Sequence, residues 1–460
     1  MTLPEGFAQA MQQLDNVDSD ALLAALEQPP SVSIRYNRRK APAEPPYTGT
    51  EPVAWCADGV YLPERPVFTL NPLMHAGCFY VQDASSMIYQ TIATMLTARL
   101  READRPLRVL DLCAAPGGKT TAIINALDDH DVIVANEYVP ARAAVLRENI
   151  AKWGFPGAAV TNAPAEAFGR CGSLFDIVAV DAPCSGEGMM RKEAVAVGQW
   201  SEGLVRQCAA LQRDIVSHAV SSLRSGGFLI YSTCTFNITE NENNAAAIAE
   251  ANGLEMITLP LPQDWGIVSS CRADVPALRF MPHVTRGEGL FVCVMRKPED
   301  TGSDIPATRS GRDKGTGRRD KTQIPSVPSD WLLRQEEYRS RFDGKTLSML
   351  PVALDELMSR LEGIKILSAG VTAAELKGRE WAPTSQLALS TTFNPKAFEI
   401  VDIDEETALS YLRHEALRLP EGTPRGFVAP AFKGHPLGMA KNIGNRANNL
   451  YPAAWKIRHL

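Results

Sequence analysis

Leu107-Arg-Val-Leu-Asp-Leu-Cys-Ala-Ala-Pro-Gly-Gly-Lys119 decides how this chain folds. Residues 107–112 read as a short buried strand, and Cys113 to Lys119 as a tight turn that opens a helix over 119–127. Small residues in such a turn let the backbone approach a ligand closely, and a helix start offers free N–H groups. The same rhythm continues downstream. Strands are expected over 131–136, 175–181, 227–233 and 289–295, with a helix over 140–153 that has Pro at its start. A long amphipathic helix is marked by Leu204, Val205, Cys208, Leu211, Ile215, Ala219 and Leu223. Thr239-Glu-Asn-Glu242 has the spacing of a capping box and predicts a helix start there, a few residues past Cys234. Strands alternating with helices imply a mostly parallel sheet covered on both faces.

Outside this block the composition changes. Residues 1–28 read as helical up to Pro29-Pro30, and Ser31 to Tyr36 as a strand, so a small α+β domain is expected over 1–100. The catalytic unit is then 101–297. Residues 298–329 hold almost no apolar side chains and six Lys or Arg between Arg309 and Lys321, the composition of a flexible basic linker. A last region, 330–460, carries strand-like runs at Ile364–Leu367 and Phe398–Val401. No internal repeat is visible.

The formal charge of −6 argues mildly against a nucleic-acid partner, but distribution matters more than the sum. Thr423 to Leu460 contains no acid and six bases, Arg425, Lys433, Lys441, Arg446, Lys456 and Arg458. Arg35, Arg38, Arg39 and Lys40 form a second basic cluster. Phe432, Tyr451 and Trp455 interleave with the C-terminal bases and read either as base-stacking residues or, with more weight, as core. No apolar run is long enough to span a membrane, and no secretion signal is evident, so a cytoplasmic location is expected. Nine dispersed cysteines suit free thiols in a reducing compartment. None has metal-ligand spacing, so no metal is expected.

The chemistry-bearing residues lie at strand ends. Glu137 closes the second strand, about twenty residues after the glycine turn, where an acid holds the ribose hydroxyls of an adenosine-containing cofactor. Asp181 ends the next central strand in Asp181-Ala-Pro-Cys184-Ser-Gly-Glu, and Cys234 follows another in Tyr231-Ser-Thr-Cys234-Thr-Phe-Asn. Either cysteine alone reads best as a small buried residue. Two thiols and an aspartate at adjacent strand ends read as covalent chemistry, because ligands bind at that edge of an open sheet.

These motifs, with Tyr80-Val-Gln-Asp-Ala-Ser-Ser86 and Ser33-Ile-Arg-Tyr-Asn37, resemble the Sun/Nop family of RNA cytosine-5 methyltransferases, and most of all its bacterial RsmF type. Lys441 to Arg446 and Asn449 to Pro452 resemble that subgroup's PUA-like RNA-binding module. The resemblance implies a class I methyltransferase fold, Rossmann-like with a mostly parallel seven-stranded sheet, between a small α+β N-terminal domain and a PUA-like C-terminal domain. It implies that Cys113, Ala114, Ala115, Pro116, Gly117, Gly118, Lys119, Glu137 and Asp181 hold S-adenosyl-L-methionine. Position 163, where relatives often carry an acid near the adenine, is Ala and offers only backbone. The resemblance further implies Cys234 as nucleophile, Cys184 as the group assisting release, Asp181 at N3 of the cytosine, and Lys119 within the catalytic set. The implied substrate is 16S rRNA or the small ribosomal subunit, acted on by a monomer. The alternatives are tRNA, a DNA methyltransferase that would use Cys184 as nucleophile, and a ribosome-assembly factor that keeps the fold without turnover.

Overall fold

The computed structural model describes residues 3–4, 6–101, 105–299 and 326–458, so most of the expected linker, 298–329, lies outside the described residues. At the centre is a ten-stranded sheet. Seven of its strands are β1 (Arg108–Asp111), β2 (Val132–Asn136), β3 (Ala158–Thr161), β4 (Phe175–Asp181), β5 (Leu223–Thr233), β6 (Ala277–Phe280) and β7 (Leu290–Arg296). Their spatial order is β3-β2-β1-β4-β5-β7-β6. The five strands from β3 to β5 are parallel, and β7 runs antiparallel to both β5 and β6. Three further strands raise the expected seven to ten: Val268–Ser269 beside β6, Glu255–Ile257 beside β7, and Ile366–Ala369 beside β3. Every residue of β2 and β3, and six of seven in β4, are buried, because helices cover both faces.

The helix after β1 begins at Gly118, preceded by Gly117 at φ 113°, a left-handed conformation that glycine tolerates best. Pro140–Trp153 forms as expected, with Pro at its start and Gly154 at φ 80° ending it. The long helix spans Glu202–Ser222 and is capped by Ser201, whose hydroxyl accepts from the Leu204 amide at 3.1 Å. Its phase differs by one residue from the apolar reading. Leu211 is 46% exposed, and Gln212 points inward with Val205, Cys208, Ala209, Val216 and Ala219.

The expected capping box is absent. The helix begins at Glu242, with no side-chain cap, and the Glu242 carboxylate instead accepts from Arg279 Nε at 2.6 Å in a fully buried ion pair. That pairing overrides a local cap because an unpaired buried guanidinium costs far more than a frayed helix end.

At the N-terminus the expected single helix is two, Phe7–Gln12 and Ser19–Leu26, with Asn16 between them at φ 62°. They pack on Met190, Trp200 and Phe236, near the cysteine-bearing loops. A four-stranded sheet follows, ordered Glu51–Val53, Cys56–Leu62, Val32–Tyr36, Phe79–Val81. The basic cluster beside it is largely internal. Arg35 is fully buried, and its guanidinium donates to Gln82 Oε1 (2.8 Å), Thr121 Oγ1 (2.6 Å) and Thr121 O (3.2 Å) on the helix after β1. Lys40 Nζ donates to the carbonyls of Ala76 and Lys152 at 3.0 and 2.7 Å. Arg39 Nη1 donates to Ile124 O at 3.0 Å. These side chains fasten the N-terminal sheet to the helices Gly118–Ala126 and Pro140–Trp153 beside the central sheet.

Beyond 326 the chain forms two smaller sheets, one containing Val371–Lys377 and the other Gly426–Phe432. The run at 364–367 forms a strand over Ile366–Ala369, and it pairs antiparallel with β3 as an edge of the central sheet. Val352–Met358 likewise buries Leu354 and Leu357 in the cluster that contains Leu110, Val178 and Leu229. Tyr451 is core, as the more heavily weighted reading had it, while Phe432 and Trp455 are half-buried at the edge of the same cluster. Among the described residues, no helix is long and apolar enough to cross a membrane.

Candidate active site

The carboxyl ends of β1, β4 and β5 meet where the strand order reverses, between β1 and β4. Asp181 is the last residue of β4, and Ser232 on β5 stands opposite it in register. One residue past β5 is Cys234, and three past β4 is Cys184. Their Sγ atoms are 3.1 Å apart. Lys119, in the first turn of the helix after β1, reaches across so that Nζ donates to Asp181 Oδ2 at 2.8 Å. Ser232 Oγ donates to Asp181 Oδ1 at 2.7 Å.

Two buried glutamates hold the thiols together in a reciprocal arrangement. Glu187 comes from the loop of Cys184, yet its carboxylate accepts from the Phe236 and Asn237 amides at 2.6 and 2.9 Å, and from the Thr235 hydroxyl, all in the loop of Cys234. Glu240 comes from the loop of Cys234, yet it accepts from the Ser185 amide at 3.0 Å beside Cys184. Gln212 adds a brace, donating to Pro183 O (2.9 Å) and Glu240 Oε2 (2.8 Å). Gly188 packs on the backbone of Cys234, its amide donating to Cys234 O at 2.8 Å, and an added Cβ would meet that same oxygen at 2.9 Å. Saturating each carboxylate with donors repays its burial and fixes the loops.

Cys184 is held well above the ordinary thiol range, first by its hydrogen bond to Cys234, then by burial and the charges of Glu240 and Asp181. Burial alone would depress the Lys119 ammonium, but Asp181 and then Cys234 outweigh it and raise it. Burial lifts Asp111, at the end of β1, to about 7, against a hydrogen bond from the Thr120 hydroxyl at 2.6 Å. Burial also raises the Cys113 thiol, with Asp111, Asp181 and Glu137 adding to it.

Glu137 sits just past β2, with Oε1 accepting from the Val139 amide at 2.9 Å. Ala163 offers less than its backbone suggests, since Asn136 takes both its N–H and its carbonyl, at 3.0 Å each. Sequence reading had singled out Cys184, Cys234, Asp181 and Lys119, and the structure brings these four together. It had passed over Ser232, Glu187, Gln212 and Glu240. Ser232 and Glu187 lie inside the quoted motifs, but Gln212 was hidden by the apolar reading of its neighbour Leu211.

Residues 95–296 match the family described as 16S rRNA methyltransferase RsmB/F. Residues 3–84 match the N-terminal domain of 16S rRNA methyltransferase RsmF, and 398–457 the methyltransferase RsmF PUA domain. The ribosomal RNA small subunit methyltransferase F of Shigella boydii is 31% identical over 98% of this chain and 95% of its own length. That of an Enterobacter species is 32% identical with the same coverage. The chain belongs to the RsmB/F family of 16S rRNA methyltransferases. Its fold is also that of a methyltransferase homolog protein from Pyrococcus horikoshii (24% identity, TM-score 0.53, 63% of this chain and 94% of that one). NSun6 from Pyrococcus horikoshii, whose structure contains SFG, gives a TM-score of 0.53 at 19% identity over 65% of this chain and 99% of that one.

An RsmB/F methyltransferase uses S-adenosyl-L-methionine, and the residues here fit it. Among the described residues the buried Glu137 Oε2 has no hydrogen-bond partner, and Arg142 Nη1 lies 3.3 Å from it, so an acceptor stands ready for a hydroxyl donor. The turn from Cys113 to Gly118 leads from the end of β1 to the lysine that pairs with Asp181. Its Pro116 carbonyl is held from outside by Asn149 Nδ2 at 2.8 Å and its Ala115 carbonyl by Arg142 Nη2 at 2.9 Å.

Proposed function

We propose that this chain methylates C5 of a cytosine in 16S rRNA through a transient bond between Cys234 Sγ and C6 of the base. The observation that carries the reading is the pair of thiols 3.1 Å apart at the carboxyl edge of the sheet, beside an aspartate paired with a lysine. A lone catalytic cysteine needs no such neighbour. A reaction that must first form and then expel a carbon–sulfur bond has work for two.

Cytosine C5 is too weak a nucleophile to take a methyl group unaided. Addition of the Cys234 thiolate to C6 breaks the C5–C6 double bond and moves its electrons toward the ring nitrogen and C5. Asp181 faces the N3 edge and, sharing a proton with Lys119, stabilises the charge that arrives there. S-adenosyl-L-methionine, when bound, supplies an electrophilic methyl group. After C5 is alkylated its proton passes to the Cys184 thiolate, the electrons of the C5–H bond re-form the C5–C6 double bond, and Cys234 departs as thiolate. Cys184 assists this release, directly or through water. The target nucleotide leaves its stack to reach the thiols. In this reading 1–100 and 330–460 flank the catalytic unit 101–297 as RNA-facing regions, and the acid-free C-terminal stretch meets phosphates. Among the described residues Arg425, Lys441, Arg446, Lys456 and Arg458 pair with no carboxylate.

Two variants test the chemistry. Cys234→Ala abolishes methyl transfer and any covalent RNA adduct. Cys184→Ala accumulates a protein–RNA complex that survives denaturation, and normal turnover in that variant refutes the division of labour. Bisulfite sequencing of total RNA from cells with and without the gene identifies the substrate. Loss confined to tRNA overturns the rRNA assignment.

A further inference from the structure

Asp181 is anchored from behind by more than Lys119. The Tyr89 hydroxyl lies 2.7 Å from Ser232 Oγ, which in turn lies 2.7 Å from Asp181 Oδ1. Tyr89 is fully buried on the helix Ile88–Leu100, which precedes β1. Burial, and then the charge of Asp181, keep its phenol protonated far above the ordinary range. The direction of the chain follows from donor inventory alone. A carboxylate only accepts, so Ser232 gives its single hydroxyl proton to Asp181 and must accept from Tyr89. No other hydrogen-bond partner of the Tyr89 hydroxyl is present among the described residues.

We propose that Tyr89 and Ser232 are positioning residues, a hydroxyl relay that fixes the Asp181 carboxylate and tunes how readily it shares a proton with the target base. The inference rests on the reading of Asp181 given above. Lys119 and the relay hold opposite oxygens, 2.8 and 2.7 Å away, so the carboxylate plane cannot rotate without losing one of them. The fixed plane leaves one lone pair on each oxygen for the base. Two neutral hydroxyls in series stabilise the anion without adding charge to a pocket that must admit an RNA phosphate chain.

Tyr89→Phe removes one hydroxyl and no carbon. The expected result is a fall in kcat of about five- to tenfold with KM for S-adenosyl-L-methionine nearly unchanged. The limb of the rate–pH profile set by Asp181 moves to higher pH, since a carboxylate with fewer donors holds its proton more tightly. Ser232→Ala moves the limb further, and adding Tyr89→Phe to it changes nothing more, because the relay is already cut. A purely structural role lowers stability without moving the limb and gives additive losses. Either of those outcomes overturns the relay, and the Ser232→Ala limb alone decides it if Tyr89→Phe folds poorly. Asp181→Asn separates the two levels. Full turnover in that variant overturns the functional reading itself. An inactive Asp181→Asn with an unmoved limb in Tyr89→Phe overturns the relay alone.

Discussion

Residues 35–40 and residues 425–458 are both rich in Lys and Arg, and the fold uses them in opposite ways. Arg35 is buried to zero exposure and spends its guanidinium on a side-chain amide, a threonine hydroxyl and backbone carbonyls, with the Trp153 ring 4.9 Å below it. Arg425, Arg446, Lys456 and Arg458 are exposed. A guanidinium surrounded by carbonyls is a structural bolt, whereas one in water remains available to a phosphate. Basic composition alone does not separate these roles. The acceptors around Arg35 and Lys40 belong to chain segments 36 to 112 residues away.

The sharpest way to break this contrast is Arg35→Ala. It strands the Gln82 and Thr121 acceptors in a dry interface and removes the stacked guanidinium, so unfolding free energy falls by about 3 kcal/mol or more. A urea midpoint within error of the parent refutes the bolt. Next in size is the pH response of Lys40, whose ammonium burial pushes down to about 7 from 10.5. Above pH 7 the unfolded chain holds a proton that the folded one has released, so stability rises with pH. The rise is opposed above pH 9, where the unfolded chain loses the Cys78 proton that the folded state keeps, its thiol being pushed up to about 12. Lys40→Met therefore flattens a rise of up to about 1 kcal/mol per pH unit between pH 7 and 9. Denaturant midpoints across that range check it. Smallest in stability is the triple change Arg425→Gln, Lys441→Gln and Arg446→Gln, within about 0.5 kcal/mol of the parent. Its effect is on RNA, where the slope of log affinity against log salt falls by about 2. An unchanged slope removes this face from the RNA-facing surface.

The central sheet was legible because its strands are buried on both faces and so are written as continuous apolar runs, such as Phe175–Val180. Strand ends carry the thiols and Asp181, so the edge that binds ligands was legible too. What failed to read were places where a distant partner overrode a local signal. Glu242 completes a capping box on paper, but Arg279 claims its carboxylate. Leu211 completes an apolar stripe, but Gln212 turns inward to brace Glu240. Ile366–Ala369 looks like a strand of the last region, but it adds to β3 because that edge was open.

The order of residues by itself determined the sheet, the glycine turn and the sulfur and carboxylate groups at its rim, since periodicity and spacing are local properties. Only tertiary structure decided that the two sulfurs stand 3.1 Å apart, that Glu187 and Glu240 each grip the other's loop, and that Tyr89 backs Asp181 through Ser232. Those contacts join groups 48 to 143 positions apart along the chain, and buried polar atoms take whichever partner the closed fold presents.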